Sequence, residues 1–278
     1  MKTIFNKNIL IAALLTIGLM SCQKKFDPSS YAPKLNIGGY TSVKQIAASN
    51  LVGYWSFNSN LVDSVTNTAG TAVGTSYTTG FEKQSLQGAL NGYVLATPGS
   101  GITNLQSFTS TLWINTPAPS TGIIGFFSLA KTDAFWGNIE MFFENGSSNT
   151  NGKLRIHVTK GGNDYTYAVD NIQNLFDKWN NIAFSYDAST STCTLYINGA
   201  SVSSGTINGL TGALSFSNVG KVVFGCVQFQ TNPSQTSATT SQPWASYLTG
   251  QLDEVRIYNK ALSAAEVAAI VALQAKGK

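Results

Sequence analysis

The chain is poor in the side chains that most chemistry uses: it has one histidine, His157, two arginines, Arg155 and Arg256, and three cysteines in 278 residues. A single histidine excludes any mechanism or metal site that needs two, and no Cys-x-x-Cys or Cys/His spacing suggests zinc. Charged residues make up only 11% of the chain, 17 basic against 13 acidic. Without a clustered basic face, binding to nucleic acid is not expected. Ser, Thr, Asn and Gly take the place of charge, a composition that suits an extracellular β-domain with a neutral partner.

What is present begins at the N-terminus. Lys2 and Lys7 precede an apolar run from Ile9 to Met20, the order of an export signal and too short to span a bilayer comfortably. Leu19-Met20-Ser21-Cys22 resembles the lipobox at which bacterial lipoproteins are cleaved. That resemblance makes residues 1–21 a signal peptide and Cys22 a lipid-bearing N-terminus held on a membrane by its acyl chains. Gln23 follows, where Asp is the usual inner-membrane retention signal, so an outer-membrane, cell-surface location is expected. Residues 22–50, with two prolines and a Gly-Gly pair, read as a tether, and residues 51–278 as one domain. In an exported chain Cys193 and Cys226 are either a disulfide, if their strands are neighbours, or buried free thiols.

From Leu51 onward, short runs rich in β-branched and aromatic residues alternate with turn signals: LVGYWSF, FTSTLWINT, GIIGFFSLA, NIEMFFE, KLRIHVT, WNNIAFSYD, CTLYI, KVVFGCVQF and others. Gly161-Gly162 and Asn198-Gly199 supply the positive φ values of tight hairpins. The pattern predicts an all-β, two-sheet sandwich. One helix is predicted at the end, where Ser263 and Glu266 form a capping box, Leu262 and Val267 a hydrophobic staple, and Val267, Ile270 and Val271 a docking face. A shorter helical turn is predicted near Asn174 to Lys178.

Four segments in order, LVGYWSFNSNLVDS, FTSTLWINTP, WNNIAFSYDASTSTCTLYINGASV and GQLDEVRIYNKALSAAEV, resemble the laminin-G-like domains of the concanavalin A-like lectin/glucanase superfamily. The resemblance implies an antiparallel jelly roll in which a concave face or its rim often binds glycan. It also implies a structural calcium shared by Asp63 and Asp253. Some members of the superfamily are glycosidases with an E-x-D-x-E strand. Here Glu140 and Glu144 keep the outer spacing, but Phe142 replaces the middle acid, and a regular strand separates positions four apart by roughly 13 Å. Catalysis is therefore not expected. Nor do Asp253 and Glu254 form a pair, since adjacent strand residues face opposite sides.

For glycan recognition the chemistry sought is an aromatic face flanked by amides and hydroxyls. Trp55, Trp113 and Trp179 fall inside strand motifs and are read as core. Trp136, in the loop KTDAFWGN, and Trp244 with Tyr247, at the end of QTNPSQTSATTSQPWASY, either stand on the rim or plug the end of the sandwich; for the rim reading Asp133, Asn138 and Gln242 are the polar neighbours. His157 shares a strand face with Arg155 and Thr159 and is read as a surface or groove residue. The expectation is a lipid-anchored, non-catalytic protein that binds poly- or oligosaccharide at the outer membrane. Its expected partners are a TonB-dependent transporter and surface lipoproteins; the alternatives are a structural, protein-binding accessory subunit of such an assembly and, second, a glycoside hydrolase, against which the acid pattern speaks.

Overall fold

The computed structural model describes residues 35–278. The chain divides into two units, Met1–Asn36 and Ile37–Lys278, and every strand described belongs to the second. The signal segment, the lipobox and Cys22 lie outside the described residues.

The first half of the unit carries β1 (Leu51–Trp55), β2 (Val62–Asp63), β3 (Thr68–Ala69), β4 (Thr71–Val73), β5 (Ser76–Thr79), β6 (Gln84–Gln87), β7 (Tyr93–Ala96), α1 (Ser100–Thr103) and β8 (Phe108–Asn115). Next come β9 (Ile123–Lys131), β10 (Ile139–Phe143), β11 (Gly152–Lys160), β12 (Asn163–Ile172) and β13 (Asn180–Asp187). The last part holds β14 (Thr192–Ile197), β15 (Ala200–Thr206), β16 (Val219–Phe224), β17 (Ala245–Ser246), β18 (Gln251–Tyr258) and α2 (Ala264–Gln274). In the first sheet the neighbours run β15-β14-β13-β8-β18-β6-β5, with β1 beside the second half of β18. In the second they run β12-β11-β10-β9-β16-β7-β4, with β17 laid parallel to the start of β9 and the other pairings antiparallel. The two-sheet sandwich expected from the sequence is the fold observed.

Alternation explains the core between the sheets. Ile139, Met141 and Phe143 of β10 and Leu154, Ile156 and Val158 of β11 point inward with Trp55, Phe126, Phe184 and Phe224. Trp55 and Phe57 meet Phe224 edge-on at 5.1 and 5.3 Å. The hairpins behave as the turn chemistry predicts: Gly161 and Gly162 join β11 to β12 with φ of 58° and 82°, and Asn198 and Gly199 join β14 to β15 with 51° and 82°. Near 174–178 there is no helix, because Asn174 and Asp177 adopt left-handed backbone (φ 55° and 62°), which interrupts a right-handed turn. Cys193 and Cys226 are free, buried thiols. The first lies among the inner-face residues, the second with Tyr93 and Val223 outside them.

Over their central strands both sheets are covered on their outer faces, so β9 is buried along all nine residues, while the edge strands β12 and β15 stay largely exposed. Helix α2 belongs to the cover of the first sheet. Ser263 accepts from the Glu266 N–H (3.2 Å) while Glu266 accepts from the Ser263 N–H (2.7 Å), the predicted capping box. Leu262 and Val267 are both buried, and the docking face is Val267, Ala269, Ile270, Leu273 and Gln274, with Val271 only half-buried. Residues 37–50, expected in the tether, fold with this unit: Val43 and Ile46 are buried, and the Val43 N–H donates to the last carbonyl, Lys278. Of the three tryptophans read as core only Trp55 lies between the sheets. Trp113 stacks on Phe81 at 3.4 Å outside them, and half-buried Trp179 meets the same ring edge-on at 6.2 Å.

Asp253 and Glu254 sit at a bulge in β18, where the register slips between Asp253 and Arg256 and Glu254 takes φ of 54°. Glu254 is buried against the Arg256 guanidinium (2.6 Å), accepts from the Tyr54 hydroxyl (2.9 Å) and from Gln274 of α2 (3.2 Å). Gln274 accepts in turn from the Trp113 indole N–H (2.9 Å). This network joins helix, bulge and β1, so the acidic motif is architecture. Replacing Glu254 by Gln leaves Arg256 buried without its counter-ion and is expected to cost about 3–5 kcal/mol, read by chemical denaturation; an unchanged unfolding midpoint would refute the network.

Candidate functional site

On the second sheet the residues that alternate away from the core are Glu140 and Phe142 of β10 and Arg155, His157 and Thr159 of β11. Two excursions fold over them. The β9–β10 loop, residues 132–138, brings Phe135 and Trp136, and the long insertion, residues 225–247, brings Val227, Phe229 and Trp244. Trp136 lies nearly parallel to His157 (4.2 Å, 22°) and to Phe142 (5.1 Å, 12°). Phe135 packs on Phe229 at 4.8 Å and stacks with Trp244 at 6.1 Å and 19°. Trp136 and Trp244 come within 6.4 Å, and Trp244 stays 43% exposed. His157 is held by Asp164 through Nδ1 at 2.7 Å, which fixes the imidazole as a floor for Trp136. The result is a layer of rings laid on the sheet with an exposed indole at its edge.

Glu140 lies beneath this layer, fully buried. Its carboxylate accepts from the Ser128 hydroxyl on β9, the Gly137 N–H of the β9–β10 loop (2.9 Å) and the Gln228 N–H of the insertion (3.0 Å). Burial raises its pKa from 4.5 to about 7, although all three donors pull it down. Glu144 is turned to Arg155 (3.5 Å), and Phe142 fills the place between the two acids under Trp136. A glycosidase needs two carboxyl groups facing one bond, about 5 to 9.5 Å apart. A buried carboxylate fully used in holding loops does not supply one of them.

The predicted rim residues are only partly brought together. Trp136 and Trp244 meet. Asn138 does not join them: it is buried, donating to the carbonyls of Ala130 and Ser217 (both 3.1 Å) and accepting from Thr159 (2.8 Å). Asp133 is exposed, but Lys131 holds one oxygen and Asn218 the other (2.6 Å), and the Lys131 hydrogen bond lowers its pKa. Gln242 braces the insertion by donating to Thr239 (2.9 Å) and the Thr240 carbonyl (3.1 Å). Tyr247 packs with Tyr93 and Cys226 on the β16–β7 side, away from the tryptophans. Sequence reasoning missed Phe229 and the floor residue Phe142, and it placed His157 on a surface or groove without its stacking on Trp136. The available signal was Phe142, an apolar residue where alternation calls for a solvent-facing one.

Asp63 and Asp253 do not fit a shared calcium. Asp63 accepts from the N–H groups of Tyr54 (2.9 Å) and Val65 (3.0 Å) and the Thr66 hydroxyl (2.8 Å), a donor set that satisfies a carboxylate and faces a cation with hydrogens. Asp253 has other neighbours: one oxygen accepts from the Glu82 N–H (2.9 Å) and the other is buried with no hydrogen-bond partner among the described residues. Burial raises its pKa to about 8, which favours the neutral acid. Among the described residues no three His, Cys, Asp or Glu side chains converge as metal ligands.

A family model described as the concanavalin A-like lectin/glucanases superfamily, of laminin-G type, matches residues 87–268. Among solved structures, domain 4 of AbnA, a GH43 extracellular arabinanase from Geobacillus stearothermophilus in complex with arabinotriose, superposes with a TM-score of 0.55 at 19% identity, covering 80% of this chain and 98% of that one. The binding domain of botulinum neurotoxin DC superposes at 0.58 and 15% identity in its complex with SialylT, and at 0.59 and 16% in its complex with rat synaptotagmin II. These two matches cover 83% of this chain and 52% of the toxin domain. At such identities the likeness is one of fold. No curated protein matches the chain.

Glu140→Ala is expected to cost about 1–3 kcal/mol for each backbone N–H left without its acceptor, with faster amide exchange in residues 134–137 and at 228. Because the Glu140 pKa is raised on folding, its protonated form adds stability that is full below pH 4.5 and lost as the pH rises through about 7. Glu140→Gln should flatten that part of the unfolding profile, and an unaltered slope would contradict the assignment. The melting temperature is expected to be the same in calcium and in chelator, while Asp63→Ala lowers it in both; a calcium-dependent rise would overturn the donor-set argument.

Proposed function

Because the chain belongs to the concanavalin A-like lectin/glucanases superfamily, we propose that it is a non-catalytic, lipid-anchored glycan-binding protein that uses the ring layer of Trp136 and Trp244 as its contact surface. The observation that carries the reading is Trp244: a large indole 43% exposed yet stacked on Phe135 and packed edge-on against Phe229 at 5.5 Å. Exposure of such a ring is unfavourable unless something covers it, and an indole fixed by its neighbours loses little entropy when a sugar stacks on it. The fold neighbours solved with arabinotriose and with SialylT support a glycan as the partner.

In this reading the signal segment is removed, Cys22 carries lipid, and the domain stands on the outer membrane at the cell surface. One shallow site gives modest affinity, and many copies on one membrane raise the effective concentration at which a polysaccharide is held. Captured chains pass to a TonB-dependent transporter or a surface lipoprotein beside it. The neighbour solved with synaptotagmin II supports the competing reading, a protein-binding accessory subunit.

The test is glycan-array and calorimetric binding of the full chain in detergent micelles. Trp244→Ala is expected to weaken an identified glycan by about twofold to tenfold, since one ring contact contributes about 0.5–1.5 kcal/mol beyond its area burial, with the circular dichroism spectrum unchanged. Cys22→Ser should release the protein from the membrane without altering affinity. Glycan binding indifferent to Trp244 would sink the platform, and stable copurification with a transporter in the absence of any glycan affinity would favour the accessory subunit.

A further inference from the structure

The insertion that presents Trp244 has a second flank, over β7 and β16. There it lines a groove of about 610 Å³, in which Gln230 to Ser234, Thr240, Ser241 and Tyr247 of the insertion join Val73, Asn91 and Tyr93. That volume is in the range of small-ligand sites. None of the lining residues is charged.

The polar groups of the groove fall into two sets. One set is committed to building the wall. The Tyr93 hydroxyl donates to the Asn232 carbonyl (2.8 Å) and accepts from the Asn232 N–H (3.1 Å), and the Tyr247 hydroxyl donates to the Gln230 carbonyl (2.8 Å). The Gln230 amide donates to the Ala245 carbonyl (2.8 Å) and accepts from the Gln242 N–H (3.0 Å). These bonds fix the loop before any ligand arrives, so binding there orders little. The other set is uncommitted: the side chains of Asn91, Asn232, Thr240 and Ser241 are exposed and make no hydrogen bond among the described residues.

We infer that this groove is a binding site for an uncharged oligosaccharide, separate from the Trp136 and Trp244 platform. The inference deepens the glycan-binding reading and rests on it. Free amides and hydroxyls match sugar hydroxyls, which both donate and accept, and the tyrosines supply apolar surface for ring C–H groups. A uronate or sulfated sugar would surrender hydration of its charge to a groove with no cation to receive it. The class selected is therefore neutral.

The experiment is titration calorimetry of the full chain in detergent micelles with arabinopentaose, xylopentaose and cellopentaose against pentagalacturonate. Two groove variants are compared with Trp244→Ala: Asn91→Gly, which removes the amide and keeps the positive φ of 62°, and Ser241→Trp, which fills the groove. At least one neutral probe should bind, at least about tenfold more tightly than pentagalacturonate and with little dependence on salt. Ser241→Trp should weaken it by about tenfold and Asn91→Gly by about threefold to tenfold, with unchanged circular dichroism. If both groove variants bind like the wild type while Trp244→Ala does not, the groove is excluded and the platform stands. Equal or tighter binding of pentagalacturonate overturns the neutral class. If no probe binds the wild type, or if all three variants bind as it does, the groove and the platform fail together.

Discussion

Glu140 accepts hydrogen bonds from three separate pieces of chain, β9 through Ser128, the β9–β10 loop through Gly137 and the insertion through Gln228, and the aromatic layer above it stays in place because all three are fastened at one carboxylate. The constraint is electrostatic as well as geometric. A buried carboxyl is disfavoured as an ion by lost hydration, and only donors already pointed at it offset that cost. Gly137 is held to its residue type by the same contact, since a Cβ there would lie 3.0 Å from the Glu140 carboxylate and 2.8 Å from the Leu129 carbonyl. The buried acid of β10 thus acts as a strut between three pieces of chain.

The two sheets solve the same problem by different means. Each has an inner face that fills the core and an outer face that needs a cover. On the first sheet Gln274 of α2 ties Trp113 to Glu254, and Glu254 holds Arg256 over the Tyr54 ring at 4.1 Å. On the second sheet loops do the covering, fixed at Glu140 and by the Gln228 amide, which donates to the carbonyls of Ala134 (2.7 Å) and Phe135 (3.0 Å). A helix satisfies its own backbone, whereas a loop laid on a sheet must find partners for each N–H and C=O. The polar richness of the insertion, with its Gln, Ser and Thr residues, supplies those partners. The same richness leaves unspent amides and hydroxyls at its rim.

The sequence announced what depends on local pattern. Alternation along NIEMFFE and KLRIHVT, the hairpins at Gly161-Gly162 and Asn198-Gly199, and the Ser263 to Glu266 box are all encoded within a few residues, and each formed as read. What depends on distant partners was not legible. Asn138 looks like a rim amide in sequence and is buried, because its carbonyl partners lie on β9 and at Ser217. Glu140 meets Gln228 across 88 positions. The bulge at Glu254 was missed for a similar reason: the left-handed backbone of a non-glycine residue is favoured only by the network that surrounds it. The exposed indole was only half legible: Trp244 follows a polar stretch with Pro243 before it, but whether its ring stays on the rim or plugs the sandwich depends on Phe135, from a distant loop, and Phe229.

Platform and groove are built on one strip of backbone, which governs how any perturbation there must be read. The Trp244 carbonyl accepts from Ile123 (3.1 Å), starting the pairing of β17 with β9, and Ala245 donates to the Gln242 carbonyl (3.0 Å). Gln230 then bonds both Gln242 and Ala245 while its own carbonyl receives the Tyr247 hydroxyl. Altering Gln230 or Gln242 therefore disturbs both surfaces at once and distinguishes nothing. The Trp244 ring and the Asn91 amide are different, because each projects from backbone whose hydrogen bonds do not pass through that side chain. Loss of function at the bracing residues speaks to architecture, and loss at these two positions speaks to contact with a ligand.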